Sequence, residues 1–366
     1  MKNTFVEMNE EKKYFTHTLL QWNKKTNNRP MPWKGEKDPY KIWVSEIILQ
    51  QTRVEQGWAY YNRFIKAFPT VQHLAKAPET EVFKLWEGLG YYSRCKNLIA
   101  TAQFIIRQHK GIFPDKYEEI LQLKGVGPYT AAAIASFAYN LPYAVVDGNV
   151  FRVLSRFFAN TTPVDSSNGK KIFTILANEL LYKKMPGIYN QALMDFGAVI
   201  CKPKLPLCND CPLKNKCGAL LNNLVQVLPI KSKKIIQKTR WLYYFILEHN
   251  KKVFVRKRCA KDIWENLYEF LLVERAGVTE TASLIKLLGE EKILVKNEFT
   301  LQTISALYRQ KLTHQTIHGQ FIHIQLKKLM SLRGYKPVSA KGLTNLPFPK
   351  LITAYLKDKN VSLNLF

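Results

Sequence analysis

Four of the six cysteines crowd into one short run, Cys201-x6-Cys208-x2-Cys211-x5-Cys217. The opening stretch MKNTFVEMNEEKKYF is charged and has no apolar h-region, so a secretory route is not expected. In a reducing cytoplasm, the expected location, clustered thiols more often hold a metal than pair with one another. Two carboxylates stand in places where chemistry could use them. Asp147 follows an apolar run and precedes a Gly-Asn turn in VVDGNVFRVLSRF; the position suits a helix N-cap, a role compatible with further work by the same carboxylate. Glu46 stands among Val44, Ile47, Ile48 and Leu49. Partial burial there would raise its pKa and keep a proton available near neutral pH; a surface glutamate on an amphipathic helix is the simpler reading of the pattern alone. Gly125-Val126-Gly127, in LQLKGVGPYTAAAIASFAY, places two glycines at a sharp turn between helices. Such a turn exposes N–H groups at the start of the second helix, a geometry that suits a phosphate and equally an ordinary helix–helix connection.

The elements that must position these groups follow from pattern and punctuation. Helical apolar periodicity recurs between about residues 10 and 220. In DPYKIWVSEIILQQTRVEQGWAYYNRFIKAF, Asp38 can cap and Pro39 suits the first helical position. In PDKYEEILQLKGVG, Asp115 and Glu118 have the spacing of a capping box, with the helix running to Leu123 and Gly125 ending it. After Cys217 the periodicity fades into a Lys-rich stretch read as a linker. WLYYFILEHNKKVFVRKR then reads as two strands around a turn, and GQFIHIQLKKL as a half-buried strand. The expectation is a multidomain chain: an all-α region over 1–221, a basic linker over 222–240, and a smaller α+β domain over 241–366. At 366 residues two domains are the natural prior. Fifty-five Lys and Arg against 28 Asp and Glu give a net charge of +27, which points to a polyanionic partner, nucleic acid first. No apolar run is long enough to span a bilayer, so no membrane association is expected.

LKGVGPYT, then VDGNV, then the four-cysteine run resemble the helix-hairpin-helix DNA glycosylases of the endonuclease III superfamily. PWKGEKDPYKIWVSEIILQQT and LWEGLGYYSRCKNL resemble, more closely, the MutY-type adenine DNA glycosylases within it. The resemblance implies a helix-hairpin-helix glycosylase domain with an iron–sulfur loop, and one 4Fe–4S cluster held by Cys201, Cys208, Cys211 and Cys217; tetrahedral zinc is the alternative for such a thiolate set. Lys202, Lys204, Lys214 and Lys216 would then be held toward a phosphate backbone. It implies base excision from duplex DNA carrying adenine opposite 8-oxoguanine or guanine, by a monomer. Glu46 takes the position of the general acid and Asp147 that of the anion facing the sugar, with Tyr129 and Asn149 positioning them. Tyr129 stands where strand-cleaving relatives carry a lysine, and a phenol cannot form a Schiff base, so a monofunctional enzyme is expected. DNA contacts are implied for Gln50, Gln51, Tyr91, Gly125 and Gly127. Gln51 and Tyr91 are the wedges that fill the gap left by a flipped base, Gln191 meets adenine, and Arg29 and Lys34 lie near the pocket.

The same family appends a Nudix-like domain that reads the oxidised guanine, and VFVRKRCAKDIWENLYEFLLVE fits its start. No Nudix box follows Phe270, so pyrophosphate hydrolysis is not expected. The family's lesion-reading loop has the form H-x-F-S-H; here it is His314-Gln315-Thr316-Ile317-His318, which assigns lesion contacts to Thr316, Ile317 and His318. Two other classes remain open on sequence: a strand-cleaving lyase, disfavoured by Tyr129, and a non-catalytic DNA-binding or electron-transfer protein, disfavoured by Glu46 and Asp147.

Overall fold

A computed structural model describes residues 2–52, 54–232 and 237–358; Lys233 and Lys234 of the stretch read as a linker lie outside them. The chain divides into two compact units, residues 1–75 with 100–234, and 76–99 with 235–366. Among the described residues no helix is long and apolar enough to cross a membrane.

Helices build the first unit. In chain order they are α1 (Lys2–Lys25), α2 (Pro39–Leu49), α3 (Val54–Ala67) and α4 (Val71–Lys76), then, beyond α5 (Glu79–Leu85) and the first part of α6 (Tyr92–Gln108), which fall in the second unit, α7 (Tyr117–Leu121), α8 (Pro128–Tyr139), α9 (Gly148–Phe157), α10 (Ser167–Leu180), α11 (Pro186–Val199) and α12 (Gly218–Leu221). Asp38 caps α2 as the sequence predicts, its carboxylate accepting from Tyr40 N at 2.9 Å with Pro39 at the first position. The long helical pattern after it breaks where Gln51 adopts φ +58°, outside the right-handed helix. The expected capping box does not form. α7 starts after Lys116 with no side-chain cap and ends at Leu121 rather than Leu123, while Glu118 accepts from the Tyr143 hydroxyl at 3.2 Å. At the hairpin only Gly125 needs glycine's freedom, at φ +79°. Gly127 caps α8 at φ −96°, a torsion open to any residue.

The core of this unit joins four helices. Phe15, Leu19 and Trp22 of α1 pack with Val153 and Phe157 of α9, Phe173 of α10 and Phe196 of α11. Each such side chain contributes about 1.5–3 kcal/mol by leaving water. Cys201, Cys211 and Cys217 lean on the same core, so the cysteine run is anchored to the helices that carry Asp147 and Gln191.

The second unit is α+β. Its sheet has the order β3-β2-β1-β7-β5, from β1 (Lys238–His249), β2 (Lys252–Lys257), β3 (Tyr268–Glu269), β5 (Phe299–Ile304) and β7 (Gln315–Leu326); β4 (Leu271–Arg275) pairs with β1, β6 (Tyr308–Lys311) with β7 and β8 (Lys336–Ser339) with β2. The predicted hairpin is β1–β2, turning through Asn250 and Lys251 at positive φ. β1 begins before the expected domain start, inside the stretch read as linker. It runs parallel to β7, from Lys238 opposite Gln315 to Glu248 opposite Gln325. Leu284 and Leu288 of α13 (Thr281–Glu290) join a core with Phe245, Ile322 and Ile324. Tyr355 of α15 (Lys350–Leu356), which follows α14 (Ala340–Thr344), stacks on Phe321 at 4.0 Å. β7 is therefore an interior strand with apolar contacts on both faces, and the expected half-buried alternation is corrected: Phe321, Ile322 and Ile324 are all buried.

A further correction concerns His314–His318. The segment is not a loop, because Gln315 onward is strand, paired to β1 on one side and β6 on the other. Thr316 and Ile317 are buried, and His318 stacks on Trp241 at 4.3 Å, so the exposed turn before β7 is made by Thr313 and His314.

Candidate active site

Glu46 sits at mid-length on α2, 4% exposed, in a helix whose residues Ile42–Ile48 are all buried. Its one described side-chain partner is a hydroxyl: Tyr129, in the first turn of α8, donates to Oε2 at 2.6 Å. Burial pushes the Glu46 carboxyl up to about 7, and the negative charge of Asp147 pushes the same way, while the tyrosine hydrogen bond opposes them. The Tyr129 phenol is held well above its ordinary value, by burial and by the same two carboxylates.

Asp147 caps α9 as the sequence predicts. Oδ1 accepts from Asn149 N at 2.9 Å and Val150 N at 2.7 Å, and Oδ2 from Asn149 Nδ2 at 2.6 Å. Burial raises its pKa, and these hydrogen bonds with the nearby Arg152 charge pull it back. The Asn149 amide is fixed at its other end by Arg152, whose Nη2 donates to Oδ1 at 2.8 Å. Arg152 also donates to Gly197 O at 2.7 Å and Cys201 O at 2.7 Å. The helices approach closely here, since a Cβ on Gly197 would stand 2.6 Å from Asn149 Cβ.

Glu46 lines a cleft of about 200 Å³, together with Trp33, Lys34, Ser45, Ile188 and Gln191 among others. Behind it Asp195 of α11 is fully buried and gathers Arg29 at 2.9 Å, Asn27 at 2.9 Å, Gln191 at 3.0 Å and Lys34 at 3.4 Å. The structure thus brings Glu46, Tyr129, Asp147, Asn149, Gln191, Arg29 and Lys34 into one region of the first unit. Gln50 ends α2 and donates to Thr130 Oγ1 at 3.3 Å. Gln51 and Tyr91 are both exposed and both left-handed, at φ +58° and +48°. Non-glycine residues in that region are uncommon and strained, and such strain gathers at functional sites. Tyr91 belongs to the second unit, where its hydroxyl lies 2.5 Å from Thr313 Oγ1. Gly125 and Gly127 are exposed, and a Cβ on Gly127 would meet nothing, so the start of α8 is open to solvent.

All four clustered cysteines are free thiols lining one small apolar cavity. Arg156 closes one side, its Nη1 lying 3.5 Å from Cys201 Sγ. The residues fit a thiolate-held group: four soft donors facing one space, an apolar wall and a buried cation to offset negative charge. As they stand, no three His, Cys, Asp or Glu among the described residues are gathered tightly enough for a single metal ion. Of the interleaved lysines, Lys204, Lys214 and Lys216 are exposed; Lys214 donates to Asn209 O at 2.8 Å and Lys216 sits over the Tyr14 ring at 4.8 Å.

Arg152, Arg156 and Asp195 escaped sequence reasoning. A signal was present for each: the two arginines fall in phase with Val153 and Phe157 on the buried face of α9, and Asp195 interrupts the apolar run ALMDFGAVI.

Residues 44–176 match the HhH-GPD superfamily of base excision DNA repair proteins, and residues 242–358 match a NUDIX domain. The adenine DNA glycosylase of Buchnera aphidicola subsp. Baizongia pistaciae is 38% identical over 362 residues, covering 94% of this chain and 97% of that one. The chain belongs to the adenine DNA glycosylases. The adenine DNA glycosylase of Schizosaccharomyces pombe is 39% identical over 56% of this chain and 49% of its own length. Among solved structures, a thermostable thymine-DNA glycosylase superposes with TM-score 0.55 at 30% identity, over 59% of this chain and 99% of that one. Endonuclease III in a non-covalent DNA complex superposes at TM-score 0.51 and 21% identity, over 58% of this chain and 98% of that one, a likeness of fold. In this adenine DNA glycosylase chain the helical unit therefore has the endonuclease III architecture, and the sheet unit is the Nudix-like part.

Proposed function

We propose that the protein is a monofunctional DNA glycosylase that hydrolyses the bond between deoxyribose and an adenine mispaired with 8-oxoguanine or guanine in duplex DNA. The observation that carries the reading is Glu46: a buried carboxylic acid, raised to about 7, beside a capped aspartate and on the wall of a cleft. Adenine is a poor leaving group until its ring is protonated. A carboxyl whose acidity lies near the working pH holds a proton and can still release it. Tyr129 ties down Oε2, which leaves Oε1 to serve the cleft. As the base departs, positive charge develops on the sugar, as in glycoside hydrolysis. Asp147 meets it with a carboxylate that three short hydrogen bonds keep oriented, and a fixed charge in a buried site stabilises that state strongly. Glu46, having given up its proton, can then take one from the attacking water.

Monofunctionality is supported by Tyr129 in the position of the lyase lysine. The basic surface, +27 overall, supports a duplex as the partner. The four cysteines are read as ligands of one 4Fe–4S cluster. Their spacing, C-x6-C-x2-C-x5-C, and the one apolar cavity that all four line support that reading. That group would cross-link residues 201–217 and hold their lysines in place. The protein is read as acting alone, as a monomer.

A gel assay tests the activity. Duplexes with adenine opposite 8-oxoguanine or guanine should be cut only after heat and alkali. Direct strand scission would make the protein a lyase, and an intact adenine strand would make it a binding protein. Protein purified without oxygen should be brown, with about four irons per chain; stoichiometric zinc would remove the cluster.

A further inference from the structure

Asp195 is buried completely, yet nothing in the proposed chemistry uses it. It lies one helical turn beyond Gln191 on α11, and Gln191 Nε2 donates to its Oδ1 at 3.0 Å. Arg29 Nη1 donates to the same oxygen at 2.9 Å; Asn27 Nδ2 at 2.9 Å and Lys34 Nζ at 3.4 Å occupy Oδ2. A carboxylate between two cations offers only acceptors. The Gln191 amide therefore has one permitted orientation, with nitrogen toward Asp195. Its Oε1 accepts nothing from the described residues and is the end left to the cleft that Gln191 lines with Glu46.

We propose that Asp195 is a specificity-positioning residue: it locks the Gln191 amide so that the cleft offers an acceptor, which selects a purine carrying a 6-amino group and rejects one carrying a 6-oxo group. The inference rests on the adenine reading above. Adenine presents an N–H donor at its six position, where guanine and hypoxanthine present a carbonyl. An amide free to turn could satisfy either; one end pinned to a carboxylate can satisfy only the donor. Sites built around a substrate N–H discriminate strongly against analogues without it, because the buried partner is left unpaired.

The test uses duplexes with adenine or hypoxanthine opposite 8-oxoguanine, and single-turnover rates for the wild type, Asp195→Asn and Gln191→Leu. The asparagine keeps the shape but brings its own N–H, so the Gln191 amide can reverse. The adenine-to-hypoxanthine rate ratio should fall roughly tenfold or more in Asp195→Asn. It should fall in Gln191→Leu too, and no further in the double variant. A purely structural Asp195 would slow both bases alike, so an unchanged ratio in a folded Asp195→Asn protein overturns the proposal. Should that variant fail to fold, a wild-type ratio in Gln191→Leu overturns it. Wild type that excises neither base sinks the adenine reading and the inference with it, and that is seen before any variant is compared.

Discussion

Two glutamates of this protein are equally hidden and differently surrounded. Glu46, in the helical unit, is 4% exposed and receives one hydroxyl hydrogen bond, with another carboxylate near by. Glu269, on β3 of the sheet unit, is 1% exposed; Arg256 donates to Oε1 at 2.9 Å and Arg258 to Oε2. Arg258 also reaches Asp262 at 3.0 Å, and Asp262 reaches Arg240 at 2.8 Å. Burial alone does not make an acid catalyst. A buried carboxyl among neutral donors and like charge keeps its proton to higher pH, whereas one clasped by two arginines serves to tie neighbouring segments together.

The largest effect should come from neutralising the catalytic side. Glu46→Gln keeps size and hydrogen bonding without an acidic proton, and Asp147→Asn keeps shape without the charge. Each should slow single-turnover excision of adenine by roughly a hundredfold or more, with duplex binding nearly normal. A wild-type rate in Glu46→Gln would make the two glutamates alike after all. Glu269→Gln should do the opposite. It leaves the buried Arg258 without its closest partner, which costs about 3–5 kcal/mol when a buried pair is broken. The sheet unit should melt earlier while the chemical step in folded protein is unchanged, and a lost excision step with normal melting would overturn the contrast.

Acidity sharpens the comparison further. Glu46 must be protonated to act, and its pKa is raised to about 7, so excision should hold below that pH and fall above it. The fall should approach about tenfold per pH unit, and Glu46→Gln should lose this alkaline limb. A wild-type profile flat to about pH 9 would assign the proton elsewhere. The smallest change is expected in Tyr129→Phe. The lost hydroxyl bond had been lowering Glu46, so the alkaline limb should move to higher pH. The neutral-pH rate should drop only several-fold, the usual worth of one hydrogen bond being about 1 kcal/mol.

Much of the fold could be read from local chemistry. Asp38 with Pro39, Asp147 before Gly148, and the β1–β2 hairpin each declare themselves within a few residues, because caps and turns are satisfied locally. Asp115 misled because its spacing to Glu118 is right while the chain enters the helix one residue later. The segment 314–318 misled for a different reason: its strand is held by β6 just before it on one side and by β1, far away in sequence, on the other, and the likeness to a family loop carries neither pairing. Within the site, Glu46 stood out by family likeness alone, and Asp147 by likeness and by its place before a Gly-Asn turn. Asp195 did not, since its meaning lies in Asn27, Arg29 and Lys34, which come from the other end of the helical unit.

The pairing of β1 with β7 also bears on how the chain is made. Leu242–Leu247 form an unbroken buried stretch whose parallel neighbour is synthesised many residues later. Until residues 315–326 emerge, one edge of that apolar strand has no mate, and long-range parallel pairing is slow to close. An unpaired apolar edge invites association with other chains. The helical unit also waits, since α1 packs against α10 and α11, but an unpartnered helix leaves no backbone edge open. Slow maturation and a tendency to aggregate on refolding are therefore to be expected from the sheet unit, and chaperone dependence should track truncations that remove β7 rather than changes in the helices.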